Sequence, residues 1–272
     1  GFQTQEWLDS FLHYCTKELG AEVDEATGSV TLDGRTVTAR AYPIGIDWDH
    51  FQAQGDTGES RQAEQRLLSS TRRRTAMIGV DRLDYSKGLP ERIDGIGRFF
   101  DQHPEKVRDL VYIQVAPPSR EDVESYQQIR TLLEQKTGQI NGARSEVDVV
   151  PIRYVNRGYT HAQLYGFFRA AKIGLVTPLR DGMNLVAKEY VAAQDPDDPG
   201  VLILSRFAGA AQQLEDAVLV NPHSPDDVAH AIGRALDMTL DERRARYDKM
   251  VRTVHDDNVQ NWTEDFVTDL TG

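Results

Sequence analysis

Arg82 and Lys87 stand five positions apart in GVDRLDYSKGLPER (79–92), directly after an apolar run. Gly88 closes the loop and Pro90 primes a helix behind it. A guanidinium and an ammonium placed this way can take a phosphate, one as a planar fork and the other as a point charge. The G-x-x-x-x-G-K-[ST] spacing of a Walker loop is missing. A solvated pair of loop cations fits the same residues, so both readings stand. A second stretch, LRDGMNLVAKEY (179–190), leaves an apolar run at Pro178, turns at Asp181-Gly182 and enters a helical pattern over 184–194. Free N–H groups from about Met183 to Val186, with the positive end of the helix dipole, make an anion seat that needs no special side chain. Glu189, about one and a half turns in, can accept two hydrogen bonds from a vicinal diol, as acidic residues do for ribose. Its bland alternative is an ion pair with a neighbouring cation, and for Lys188 a solvated helix face. A third stretch, APPSRED (116–122), offers Ser119 as an N-cap and puts Arg120 in the first helical turn, against the dipole. Arg120 reads equally as a surface cation paired with Glu121 or Glu124.

These three stretches follow apolar runs in a chain that alternates strand and helix from Thr75 onward. The spacing predicts strands at 75–80, 110–116, 149–155, 172–177, 201–205 and 217–220, with helices over 90–103, 120–137, 161–171, 184–194 and 208–214, and closing helices from about 224 to 268. Near-continuous apolar strands separated by helices imply a doubly wound parallel sheet, covered on both faces, that binds ligands outside the carboxyl ends of its strands. Before Thr75, residues 4–19 show helical spacing, and Asp33-Gly34 between two β-rich runs predicts a hairpin. One helix and one hairpin make a marginal unit, so this segment is expected to need a further surface to pack on.

The net charge of −12 argues against nucleic acid as the main partner, and no apolar run of about 18 residues exists for a spanning helix. The single cysteine, Cys15, reads as a small core hydrophobe in a reducing, cytoplasmic setting. The seven histidines are scattered, and Asp195, Asp197 and Asp198 lack a calcium-loop pattern, so no metal is expected. A G-x-S-x-G elbow is missing, which disfavours a serine hydrolase. The first residues, Gly-Phe-Gln-Thr, carry neither Met nor a leader and read as an internal start.

The stretches DRLDYSKGLPER (81–92), APPSREDVESYQQIR (116–130), TPLRDGMNLVAKEYVAAQ (177–194) and FAGAAQQL (207–214), with GFQT and YPIGI, closely resemble the trehalose-6-phosphate synthases over essentially the whole chain. That resemblance implies a GT-B glycosyltransferase, two Rossmann-like domains facing across a cleft. It divides the chain into 1–46 (the end of an incomplete N-terminal acceptor-side domain), 47–74 (linker and helix), 75–255 (the UDP-glucose-binding domain) and 256–272 (a helix crossing back). The implied reaction moves glucose from UDP-glucose to glucose 6-phosphate with retention. By resemblance Arg82 and Lys87 hold the diphosphate and, with Asp181, carry the catalysis. Asp181 and the amides of Gly182, Met183 and Asn184 hold the transferred glucose, the backbone through Leu185, Val186, Ala187 and Lys188 seats the nucleotide, Glu189 takes the ribose, Tyr159 lies beside the uracil and Arg120 takes the acceptor's phosphate. UDP-glucose is then a substrate and no cofactor is called for.

The resemblance also implies that most of the acceptor site lies in a domain preceding residue 1, so that this chain alone is expected to bind UDP or UDP-glucose weakly and not to turn over. A homo-oligomer is left open. A related glucosyltransferase acting on another sugar phosphate or polyol phosphate, as glucosylglycerol-phosphate synthases do, and a non-catalytic nucleotide-sugar-binding subunit are the rival readings.

Overall fold

The computed structural model describes residues 1–72, 74–118 and 124–271. The chain opens with helix α1 (Gln5–Lys17), capped by the Thr4 hydroxyl accepting from the Trp7 amide. Three antiparallel strands follow: β1 (Glu22–Asp24), β2 (Ser29–Leu32) and β3 (Arg35–Thr38). Asp33 (φ 51°) and Gly34 (φ 75°) form the expected two-residue turn between β2 and β3. The third strand, β1, escaped the sequence reading because Glu-Val-Asp is too short and acidic to signal one. With it the segment builds a small core of Leu8, Leu12, Cys15, Ala21, Val30 and Ala39, more than a helix and hairpin were expected to manage. Cys15 is a buried core residue, as read.

Residues 47–74, expected as linker with a helix, hold two helices, α2 (Trp48–Gly55) and α3 (Gly58–Thr71). Their polar composition conceals Phe51 and Leu67, which enter the main core beside Tyr165.

The rest is a doubly wound unit: β4 (Thr75–Val80), α4 (Leu89–Gln102), β5 (Leu110–Val115), α5 (Glu124–Arg144), β6 (Ile152–Val155), α6 (His161–Ala170), β7 (Ile173–Val176), α7 (Leu185–Ala192), β8 (Val201–Ser205), β9 (Val218–Val220), α8 (Pro225–Asp237), α9 (Leu240–Asp256) and α10 (Val259–Thr271). All six strands pair in parallel in the order β6-β5-β4-β7-β8-β9. Strand order reverses between β4 and β7, where a ligand crevice belongs. Alternate strand residues feed opposite faces. Ile78, Ile113, Val176, Leu202 and Leu204 pack with residues of α2, α3, α6, α7 and α9, while Met77, Tyr112, Leu175 and Ile203 pack with α4 and α8.

Three sequence expectations shift. The 149–155 strand shortens to β6, since Pro151 cannot donate to the ladder. The helix expected to end at 137 runs to Arg144, through Gly138 and Gly142. The helix expected over 208–214 is a single 3-10 turn, Gly209–Gln212. Among the described residues no helix is long and apolar enough to cross a membrane, and no cluster of three or more His, Cys, Asp or Glu could hold a metal ion.

Helix α10 returns to the start of the chain. Trp262 Nε1 donates to the Tyr42 carbonyl, Phe266 meets the Tyr42 ring edge-on at 5.1 Å, and Asp269 pairs with Arg40 and accepts from the Tyr42 hydroxyl.

Candidate active site

The loop after β4 is shaped by Asp84, whose Oδ1 accepts from the Ser86 amide and hydroxyl at 2.9 and 2.8 Å. That turn closes a 3-10 segment, Tyr85–Lys87, and Gly88 (φ 63°) redirects the chain into α4. A Cβ at Gly88 would lie 2.6 Å from the Thr177 carbonyl, so glycine serves both the backbone angle and the close approach. Lys87 is thereby aimed across the switch point, where its Nζ lies 2.6 Å from Asp181 Oδ2. The two side chains are 17% and 15% exposed, enough to stay reachable. Arg82 is exposed and makes no hydrogen bond or ion pair to a described residue.

On the other side of the crevice, Pro178 ends β7 and the chain crosses back, with the Leu179 amide donating to the Ser86 carbonyl at 2.8 Å. The turn at 181–184 is pinned from beneath by the 207–210 segment. Asp181 donates from its amide to the Phe207 carbonyl, and the Gly209 and Ala210 amides donate to the Asp181 and Met183 carbonyls. Asn184 (φ 78°) caps α7: its Oδ1 accepts from the Ala187 amide at 3.2 Å, and its Nδ2 donates to Asp181 Oδ2 at 3.0 Å. Asp181 therefore receives both Lys87 and Asn184. The amides of Gly182, Met183, Asn184, Leu185 and Val186 donate to no described residue, and they sit at the positive end of α7. The helix is shorter than expected, 185–192 in place of 184–194.

Glu189 is half-buried one and a half turns along α7. Burial pushes its carboxyl up from the ordinary range, His161 at the start of α6 opposing. The ion pair weighed for Glu189 is not formed: among the described residues its carboxylate has no salt bridge or hydrogen-bond partner. The solvated-face reading of Lys188 is overturned. Its side chain is fully buried, and Nζ donates to the Ile44 carbonyl at 2.9 Å. Burial pushes this ammonium down to about 8, with Asp257 opposing weakly. Lys188 shares a helical face with buried Val191 and Ala192, a pattern that could have placed it inside.

Tyr159 lies just before α6, edge-on to Phe167 at 5.0 Å with the Arg157 guanidinium 4.6 Å over its ring. It borders a recess of about 230 Å³ that includes Ile78, Ile113, Val115, Val155 and Arg153. Arg120, with Ser119, Glu121 and Asp122, lies outside the described residues.

Two residues beneath the loop were missed. Arg92 and Asp81 form an ion pair at 2.7 Å with 0% and 2% side-chain exposure. Arg92 falls on the apolar stripe of α4 with Leu89, Ile93 and Ile96, and a charge on such a stripe is the signal that identifies it. The switch point brings together Lys87, Asp181 and Asn184 beside a row of free amides at a helix start; among the described residues no contact joins Arg82 or Glu189 to them. Such a set can neutralise a diphosphate and accept from hydroxyl groups beside it.

The comparisons with known proteins bear on the family. The family described as Glycosyltransferase family 20 matches residues 1–272. The trehalose-6-phosphate synthase of Sinorhizobium fredii is 44% identical over 271 residues, 100% of this chain and 58% of its own length. Among solved structures, an alpha,alpha-trehalose-phosphate synthase (UDP-forming) of Burkholderia xenovorans in complex with glucose-6-phosphate aligns with TM-score 0.96 and 44% identity, over 100% of this chain and 60% of its own. An Escherichia coli structure bound with UDP-2-fluoro glucose aligns with TM-score 0.95 and 41% identity, over 99% of this chain and 60% of its own. The chain thus spans about three fifths of the length of these relatives.

Proposed function

The chain belongs to glycosyltransferase family 20, and from that premise we propose that it supplies the donor half of a retaining trehalose-6-phosphate synthase, moving glucose from UDP-glucose to glucose 6-phosphate. The observation that carries the reading is the meeting of Lys87, Asp181 and the free amides of α7 at the switch point. Relatives more than 40% identical, one bound to glucose-6-phosphate and one to UDP-2-fluoro glucose, support the substrates.

The chemistry follows from charge. As the sugar leaves, it becomes oxocarbenium-like and UDP departs as an anion. Lys87 and Arg82 meet the departing diphosphate with the amides at the start of α7, so they stabilise the transition state more than the ground state. Asp181 and the amides of Gly182 to Asn184 hold the glucosyl hydroxyls, Glu189 accepts from the ribose and Tyr159 flanks the base. A glycosidase-type route would need a carboxylate nucleophile with a second carboxylate about 5–5.5 Å away. Attack on the face the diphosphate leaves, with that diphosphate taking the acceptor's proton, needs no such pair. The reading calls for no metal or cofactor.

In this reading Arg120 takes the acceptor's phosphate, and residues 1–46 with α10 form the edge of the acceptor-side domain, whose remainder corresponds to the part of the relatives this chain does not span. The lone buried thiol of Cys15 and the nucleotide-sugar substrate fit a cytoplasmic protein. Calorimetric titration of the chain with UDP tests the proposal. Binding that Lys87→Ala weakens on the order of a hundredfold is expected; a chain that binds no UDP, or binds it with no help from Lys87, overturns it.

A further inference from the structure

Arg92 makes four hydrogen bonds that reach three neighbouring strands and one loop. Its Nη1 donates to Asp81 Oδ2 at 2.7 Å, just past the end of β4, and to Gln114 Oε1 at 3.1 Å, on β5. Its Nε donates to Thr177 Oγ1 at 2.8 Å, just past the end of β7. Its Nη2 reaches the Lys87 carbonyl at 3.4 Å. Tyr112 completes the cluster by donating to the same Gln114 oxygen. Strands β5, β4 and β7 are adjacent in the sheet, and the reversal of strand order lies between the last two. One buried guanidinium therefore clamps the strand ends on both sides of the crevice.

The sequence makes room for it. Gly79 stands within β4, and a Cβ there would lie 2.6 Å from Arg92 Nη1 and 2.3 Å from the Tyr112 hydroxyl. Burying a guanidinium costs several kcal/mol unless its donors are met, and a Leu or Met on this stripe of α4 would fill the space without that cost. The planar fork reaches what an apolar chain cannot: a strand end on each side of the crevice and the backbone of Lys87 itself. Asp81 and Tyr112 beside it hold its charge firmly, against the burial that disfavours it.

We propose that Arg92 is a positioning residue for the diphosphate: it sets the backbone of Lys87 relative to the 177–181 turn, and thereby aims the Lys87 ammonium at the point where Asp181 and the α7 amides converge. The inference rests on the donor-site reading above. It predicts that Arg92 acts on ligand through Lys87, although it touches no ligand itself.

A double-substitution cycle on the full 272-residue chain separates this role from a merely structural one, with calorimetry for UDP and ligand-observed NMR for uridine. R92K, which keeps the charge but loses the fork, is expected to weaken UDP about tenfold and uridine by less than about twofold. In the K87A background the same change is expected to cost UDP less than about threefold, because the group it aims is gone. Equal losses of UDP and uridine, an undiminished loss in K87A, or no loss at all overturns the proposal. If R92K does not fold, T177V enters the same cycle, since it removes only the Nε acceptor. An unsubstituted chain that binds UDP no better than uridine overturns the donor-site reading itself, and is seen before any substitution is made.

Discussion

Two cations are fully buried beside the crevice, and the protein treats them in opposite ways. Arg92, under the loop after β4, has a carboxylate at 2.7 Å and three further acceptors. Lys188, on α7, has one backbone carbonyl, that of Ile44, and Asp257 only as a weak electrostatic neighbour. Burial disfavours both charges, yet Asp81 and Tyr112 hold Arg92 above its ordinary range while Lys188 falls to about 8. On the donor-site reading proposed above, the difference follows from what each side must do: the α4 side presents cations to an anion and has to hold them still, so it carries a complete set of partners. The α7 side presents backbone amides, and its buried lysine ties the helix to the strap of residues 44–46. The same strap holds α10 through the Ile46 carbonyl, which accepts from the Val259 amide at 3.0 Å.

Removing a countercharge breaks that contrast most severely. Asp81→Ala leaves the Arg92 guanidinium buried and unpaired, which should cost about 3–5 kcal/mol of stability. In urea denaturation the midpoint should fall by more than for any single change on the α7 side. A loss under about 1 kcal/mol would mean that Gln114 and Thr177 satisfy Arg92 without the carboxylate, and the two cations would then be alike.

How much of this contrast the sequence displayed differs between the two sides. The β4 and β8 boundaries, the Asp33-Gly34 turn and the crevice stretches were legible because each is local: a run of apolar residues, a turn pair, a cation after a strand. Lys87 and Asp181 could each be picked out, but not their approach to 2.6 Å, which depends on β4 and β7 lying side by side. The burial of Lys188 was misjudged because its partner lies 144 positions away. A lysine beside a glutamate looks solvated until the strap that covers it is known. Strand β1 was illegible for another reason, and the helix read over 208–214 proved a 3-10 turn at 209–212: each is too short to show a period.

The second prediction concerns the cation that lacks a countercharge. The folded state holds Lys188 at about 8 and the ordinary value is 10.5, so between these pH values the unfolded chain binds more protons than the folded one. Stability therefore rises with pH through this window, and the cost of the buried charge is fully present below it. At about 1.4 kcal/mol per pH unit, the parent should gain on the order of 3 kcal/mol relative to Lys188→Met between pH 8 and 10.5. Below pH 8 the variant should be no less stable than the parent. Denaturation of both proteins across this range gives the difference directly. A difference that does not change with pH would place Lys188 with Arg92, as a cation whose charge the fold satisfies.

The smallest effect is expected next door. Glu189 is an uncompensated anion one residue from an uncompensated cation, and the two do not pair: Lys188 turns inward to Ile44 while Glu189 has no polar partner among the described residues. A half-buried carboxylate left without partners is costly to the fold unless a ligand uses it. If it accepts from ribose hydroxyls, Glu189→Gln should weaken UDP about tenfold to a hundredfold, the worth of a hydrogen bond to a charged group, and leave stability equal or higher. The pH dependence supplies the sign. Burial raises the Glu189 carboxyl above 4.5, so as pH falls UDP binding by the parent should begin to weaken at a higher pH than an ordinary glutamate would set, and the Gln variant should lack that step. Unchanged affinity in Glu189→Gln would show that the open charge on α7 serves no ligand, and would leave the free amides at the start of that helix as its only contribution to the site.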